Sequence, residues 1–327
     1  MINFDYIRVA TPKAAVDAIT GNRGAHWIAG GTNLVDLMKK GVLEPKQLVD
    51  ISNLPLKEIR KDGNKLSIGA MALNSEVADS ELVQKEQPLL SLALKAGASQ
   101  QLRNMATVGG NMMQRTRCPY FYNTDMPCNK RQPGTGCGAL KGYNRMHAIF
   151  GASEKCIAVH PSDMCVALAL LDATVLVTGP KGDRRIAFQD FHRLPGELPQ
   201  KDNTLDRGEL IVAVEIPDNL FKTNVHYLKI RDRASYAFAL VSVAAAIHLQ
   251  DGKMNQVRLA MGGVAHKPWR LNEAENFLAG KTASKAVFAE AGQIAIRGAK
   301  GYGHNNFKLK LAPGSIVEAL EAATAKP

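Results

Sequence analysis

A run of irregular sequence around four cysteines limits how this chain can fold more than any other feature. From Arg117 to Gly138 it reads RCPYFYNTDMPCNKRQPGTGCG, with Pro119, Pro127, Pro133 and three glycines. Proline lacks the backbone donor and fixes φ, while glycine loosens the chain, so this composition predicts neither helix nor regular strand. An irregular stretch of that length inside a compact domain calls for something to pin it. A metal centre held by Cys118, Cys128, Cys137 and Cys156 would do so. Their spacing, C-x9-C-x8-C-x18-C, is neither the paired C-x2-C of a structural zinc site nor the tight run of a bacterial ferredoxin. The spacing predicts a four-cysteine centre and leaves the metal open.

Charge leans the same way. Between Gln114 and Cys156 there are seven basic residues (Arg115, Arg117, Lys130, Arg131, Lys141, Arg145, Lys155) and two acidic ones, Asp125 and Glu154. Such surroundings would offset the negative charge of four thiolates around an iron–sulfur cluster or zinc. A solvated basic loop, two disulfides or unpaired buried thiols are the alternatives, disulfides above all if the protein is exported. The fifth cysteine, Cys165, lies in the apolar segment 164–171 and reads as a small core residue.

The chain has 327 residues, too many for one core, so two or three domains are expected. A formal charge of +11 calls for an anionic cofactor, acidic partner proteins or nucleic acid. The opening MINFDYIRVATPKAAV resembles neither a secretory signal nor a twin-arginine leader. The apolar run at 237–247 is too short to cross a bilayer, so a soluble chain with no membrane span is expected.

Residues 1–53 read as a small α/β unit: a strand at 26–29, a short helix at 33–40 stopped by Gly41, and a strand at 47–51. A second unit, 54–218, has strands at 65–69, 174–177 and 210–216, and helices after Asn74 and at 88–98 and 161–171. From 224 to 327 the style changes. Long antiparallel strands are expected at 225–230, 237–249 and 257–263, with a hairpin turn at Gln250-Asp251-Gly252-Lys253. Helices over 272–300 and a C-terminal helix complete this part, and the domain boundary falls at 218–224.

Two glycine pairs carry candidate chemistry. In Ile28-Ala29-Gly30-Gly31-Thr32-Asn33-Leu34 paired glycines let backbone N–H groups approach an anion, and the following helix points its positive end at the same spot. A plain strand–helix turn with an N-cap fits the same residues. It is neither a Walker loop nor a Rossmann fingerprint. Thr107, Gly109, Gly110 and Asn111 repeat the hydroxyl, paired glycine and amide, which favours an extended ligand with phosphates and a polar ring system. Gly134-Thr135-Gly136-Cys137-Gly138-Ala139 fits a dinucleotide pattern on paper but follows Pro133 rather than a strand. In His160-Pro161-Ser162-Asp163 a serine or aspartate can cap a helix, and the carboxylate could instead bind a ribityl or ribose hydroxyl. The eight histidines form no hydrolytic signature.

AGGTNLVDLMKKG, the Ile68-Gly69-Ala70 strand, TVGGN at 107–111 and RDRASYAFALVSVA at 231–244 resemble FAD-binding subunits of the xanthine dehydrogenase (molybdenum hydroxylase) family over essentially the whole chain. The loop RTRCPYFYNTDMPCNKRQPGTGCGAL and CIAVHPSD are closer still to the FAD subunit of bacterial periplasmic aldehyde oxidoreductases, whose loop holds a [4Fe-4S] cluster. The resemblance implies an α+β fold: a two-lobed FAD-binding domain (1–218), then a smaller domain with an antiparallel sheet and helices. It implies that Ile28, Ala29, Gly30, Gly31, Thr32, Asn33 and Leu34 wrap the pyrophosphate. Thr107, Gly110 and Asn111 would lie near the flavin, Asp163 would hold the ribityl or ribose part, and Lys229 would contact the flavin. Cys118, Cys128, Cys137 and Cys156 would be the cluster ligands.

In such enzymes a large partner subunit carries the molybdenum cofactor and a small partner carries [2Fe-2S] centres. Electrons pass through them to FAD and on to an external acceptor; no NAD motif is present here. Substrate chemistry then belongs to the partner, with an aldehyde, an N-heterocycle or an acyl-CoA as candidates. The periplasm, reached with a signal-bearing partner, is the implied compartment, and the cytoplasm is the alternative. A basic four-cysteine zinc protein binding nucleic acid is the reading from another class. Aromatic content of 6% and basic residues spread along the chain argue against it.

Overall fold

The computed structural model describes residues 1–325, so the last two residues of the unit expected at 224–327 lie outside the described residues. Among the described residues the fold is α+β with three sheets. Strands β1 (Asp5–Arg8), β2 (Ala25–Ile28) and β3 (Gln47–Asp50) make a parallel sheet in the order β1-β3-β2. Helix Pro12–Gly21 crosses from β1 to β2. Thr11 caps it by accepting from the Ala14 N–H, and Pro12 sits at the first position, where its missing donor costs nothing. Neither β1 nor this helix is expected from the sequence. All four β1 residues are exposed, so no alternation marks the strand.

The second sheet is antiparallel. It consists of β4 (Ile59–Asp62), β5 (Lys65–Gly69), β6 (Thr174–Gly179), β7 (Gly182–Ala187) and β8 (Leu210–Pro217), in the order β4-β5-β8-β6-β7. Helices Asn74–Asp79, Pro88–Ala96 and Asp163–Leu170 share its core. The last of these is buried at every position: its apolar run 164–170 suits a helix enclosed on all sides, and Asp163 at its start is paired.

The third sheet, order β12-β11-β10-β9, is built from β9 (Val225–Ile230), β10 (Val241–Gln250), β11 (Lys253–Gly262) and β12 (Trp269–Arg270). Asp251 (φ 51°) and Gly252 (φ 74°) are both left-handed, as a two-residue hairpin turn whose twist matches its strands needs. Strand β10 uses both faces. Val241, Val243, Ala245 and Ile247 pack under helices Asn272–Leu278, Lys285–Ala295 and Lys308–Thr324, while Ala244 and Ala246 join the core of the second sheet. The expected strand 237–249 begins only at Val241, because Tyr236 turns the chain with φ 52° and residues 237–238 line a cavity instead. The strand expected at 257–263 starts earlier, at Lys253.

The cysteine stretch departs from expectation in two ways. It contains two short helices, Pro119–Tyr122 and Gly138–Lys141, each with a cysteine as its N-cap. It is also pinned by its own side chains. The Arg131 guanidinium donates to the carbonyls of Tyr120, Phe121, Thr124 and Met126, and Asn129 Oδ1 accepts from the N–H groups of Gly134 and Gly136. Order in this loop therefore does not by itself require a metal.

Candidate cofactor sites

At the end of β2 the chain turns through Gly30 and Gly31. A Cβ on Gly30 would lie 1.7 Å from the Met105 carbonyl oxygen, and Gly31 has φ +71°, so both positions demand glycine. The backbone N–H groups of Gly31, Thr32, Asn33 and Leu34 find no protein acceptor among the described residues. Helix Leu34–Lys39 has only six residues, so these local donors, more than a long helix dipole, make the spot suited to an anion. Residues Ile28, Ala29, Gly30, Gly31, Thr32, Asn33 and Leu34 all line a cavity of about 300 Å³.

The second glycine pair behaves differently. Thr107 Oγ1 caps helix Val108–Met112 by accepting from the Gly110 N–H at 3.1 Å. The N–H groups of Val108 and Gly109 donate to the carbonyls of Ala72 and Ala70, and that of Asn111 to Thr107. This turn offers its ligand no such free donors; it offers a wall without side chains at Gly110. Asn111 Oδ1 accepts from Ser162 Oγ (2.6 Å) and Gln114 Nε2 (2.7 Å). Asp163 and Lys229 meet each other: Lys229 Nζ donates to Asp163 Oδ2 at 2.7 Å, and Tyr227 donates to Asp163 Oδ1 at 2.8 Å. Gly110, Asn111, Asp163 and Lys229 all line a second cavity, of about 660 Å³, which shares Thr32, Asn33 and Gly110 with the first.

The two cavities, which share lining residues, suit a long ligand with a phosphate centre. Where they share lining residues, the free N–H groups of the first turn stand with Asn33, whose buried Nδ2 has no partner among the described residues; its Oδ1 is held by the Arg115 N–H at 3.1 Å. Asn74, which the sequence does not single out, brings another unpaired buried atom, Oδ1, to the larger cavity. A dinucleotide fits this donor set, with its pyrophosphate at Gly31–Leu34 and its ends in the two cavities.

Cys118, Cys128, Cys137 and Cys156 line one small hollow, and none is in a disulfide. Nearby backbone N–H groups favour the thiolate form: those of Tyr120 and Phe121 at Cys118, those of Ala139, Leu140 and Ile157 at Cys137, and that of Ala158 at Cys156. Burial, with the neighbouring Cys128 and Cys137, pushes the Cys118 thiol up to about 12. The closeness of Cys137 and Cys156 lowers the thiol of Cys137 and raises that of Cys156, which burial raises further. Lys130, almost fully buried, reaches Asp202, which also takes Arg115 Nε at 2.6 Å. Burial opposes ionisation of Asp202, but Lys130 and Arg115 overcome it and hold the carboxyl down at about 2. Two histidines without a sequence signal also reach the hollow's cysteines: His147 Nε2 lies 3.1 Å from Cys118 Sγ, and His266 Nε2 lies 3.3 Å from Cys156 Sγ. Cys165 stands apart, near His160 and His192, and burial raises its thiol to about 12.

Arg117 and Cys118 join the two regions. Arg117 lines the 660 Å³ cavity, Cys118 lines the cysteine hollow, and a cavity of about 110 Å³ touches both.

Comparison with known proteins shows the family of this chain. Residues 2–219 match the FAD binding domain in molybdopterin dehydrogenase, and residues 226–323 match the CO dehydrogenase flavoprotein C-terminal domain. The chain is 49% identical over 327 residues to the aldehyde oxidoreductase FAD-binding subunit of Escherichia coli, covering 99% of each. Carbon monoxide dehydrogenase from Hydrogenophaga pseudoflava superposes with a TM-score of 0.78 at 25% identity, over 99% of both chains. Quinoline 2-oxidoreductase from Pseudomonas putida gives 0.76 at 26%, over 99% of this chain and 98% of that one. With both halves matched and a full-length relative at such identity, this chain is an oxidoreductase subunit that belongs to the FAD-binding subunits of the molybdenum hydroxylase family.

Proposed function

We propose that this chain is the FAD- and [4Fe-4S]-carrying electron-transfer subunit of a molybdenum-dependent aldehyde oxidoreductase, active only in complex. It would receive electrons from molybdenum and [2Fe-2S] centres on a large and a small partner and deliver them to an external acceptor. The observation that carries the reading is the junction at Arg117-Cys118, which sets the four-cysteine hollow against the wall of the flavin cavity. FAD supplies the ability to take two electrons and release them singly or as a pair. The chain's own residues hold it: the N–H groups of Gly31, Thr32, Asn33 and Leu34 take the pyrophosphate, and Asn33 and Asn74 supply the unpaired donor and acceptor.

An iron–sulfur cluster suits the cysteines better than one metal ion. A single tetrahedral zinc needs sulfurs roughly 3.8 Å apart, given Zn–S bonds of about 2.3 Å. Among the described residues, the group of three or more His, Cys, Asp or Glu donors within 4.8 Å of one another is His160, Cys165 and His192, not the loop cysteines. A cluster that gives each thiolate its own iron tolerates the wider spread.

The aldehyde reading rests on the 49% identity to a protein of that activity over the full chain. The likeness to a quinoline oxidoreductase favours an N-heterocycle as the second reading. We place the complex in the periplasm, carried by a signal-bearing partner, which cell fractionation tests. For the substrate, the purified assembly is titrated anaerobically with aldehydes and with N-heterocycles. Bleaching of flavin absorbance by aldehydes supports the first reading; bleaching by heterocycles alone overturns it for the second.

A further inference from the structure

We propose that His147 and His266 complete the cluster site by donating N–H···S hydrogen bonds to Cys118 and Cys156, and that these bonds raise the cluster's reduction potential. The inference rests on the [4Fe-4S] reading above and adds two positioning residues from outside the four-cysteine set. A metal-bound thiolate has no proton, so in the contacts of 3.1 Å to Cys118 and 3.3 Å to Cys156 only the imidazole Nε2–H can donate. Both histidines are buried, so water does not compete for the sulfurs from their side.

The two rings arrive from distant parts of the chain, and one side chain pins both carriers. His147 follows the cysteine loop, while His266 follows β11 in the last part of the molecule. Lys308, fully buried at the start of the C-terminal helix, donates from Nζ to the His147 carbonyl (3.0 Å) and to the Gly263 carbonyl (2.7 Å). Asn305 Nδ2 adds bonds to the carbonyls of His147 (3.3 Å) and Ala148 (2.9 Å). The C-terminal part of the fold thus builds one wall of a site whose ligands all lie in the N-terminal part.

Hydrogen bonds to ligand sulfur draw electron density from the cluster and favour its more negative, reduced form. Cys118 and Cys156 would therefore hold a cluster that is easier to reduce than their backbone donors alone allow.

The test is a redox titration of the purified assembly, followed by low-temperature EPR of the reduced [4Fe-4S] signal. His147→Leu and His266→Leu should each shift the potential negative, and the double variant further, with iron retained. His147→Gln and His266→Gln keep an N–H close to the Nε2 position and should return it toward wild type. Iron-loaded Leu variants with wild-type potentials overturn the inference while leaving the cluster reading standing. Wild-type protein without iron overturns the cluster reading itself. Should the Leu variants fail to fold, pulsed EPR of wild type labelled with 15N-histidine decides: nitrogen coupling to the reduced cluster is expected, and its absence overturns the proposal.

Discussion

Gly30-Gly31 and Gly109-Gly110 each stand beside a threonine and an asparagine, yet the fold uses them in opposite ways. At the first pair the backbone donors of residues 31–34 stay free, and the glycines are required by a carbonyl at 1.7 Å and a left-handed φ. At the second pair the donors are taken by Ala70, Ala72 and Thr107, and the missing side chain at Gly110 leaves space. Like composition does not mean like chemistry. A glycine turn binds an anion only where nothing within the protein has already claimed its N–H groups.

Substitutions can break that contrast. Gly30→Ala should have the largest effect, because the Met105 carbonyl cannot move without pulling the two turns apart. A loss of about 3 kcal/mol or more in denaturant unfolding is expected, with no flavin retained. Gly31→Leu should cost roughly 1–2 kcal/mol in backbone strain, and release FAD by filling the pyrophosphate's place. Stoichiometric flavin in that variant would count against the first turn as the site.

Arg115 links the first turn to the cysteine loop, since its N–H holds Asn33 and its guanidinium holds Asp202 beside Lys130. Asp202 is held at about 2 in the fold against an ordinary 3.8, so it stabilises the fold fully above about pH 4. That contribution, roughly 2 kcal/mol, is lost as pH falls toward 2. Acid titrations followed by circular dichroism should show the loss, and Asp202→Asn should remove this part of the pH dependence. The smallest effect belongs to the second pair. Thr107→Ala should cost about 1 kcal/mol, the usual value of an N-cap, with flavin largely kept. Complete loss of flavin there would erase the distinction between the turns.

What the sequence made legible follows from how local each signal is. Strands β5 and β9 fall at their expected residues, and the Asp251-Gly252 hairpin turn forms where its residues demand it. Strands β1, β4 and β7 carry little burial, so they lack the alternation that would announce them. The four cysteines stand out because they crowd one stretch, and the structure gathers them in one hollow. His147 and His266 were not legible. They are far apart in sequence, fit no spacing rule, and meet the cysteines only through β11 and the Lys308 tie. Asp163 and Lys229 look like two separate candidates in the sequence; their buried pairing depends on strand β9 bringing Lys229 to the first residue of helix Asp163–Leu170.

On the proposed function, one chain holds flavin at its first glycine turn and iron at its four cysteines. Iron and flavin counted together in wild type and in Cys128→Ser test it most directly. The substitution should remove the iron of one [4Fe-4S] cluster and leave flavin in place. Unchanged iron in Cys128→Ser, or a wild-type chain whose assembly lacks that iron, would contradict it.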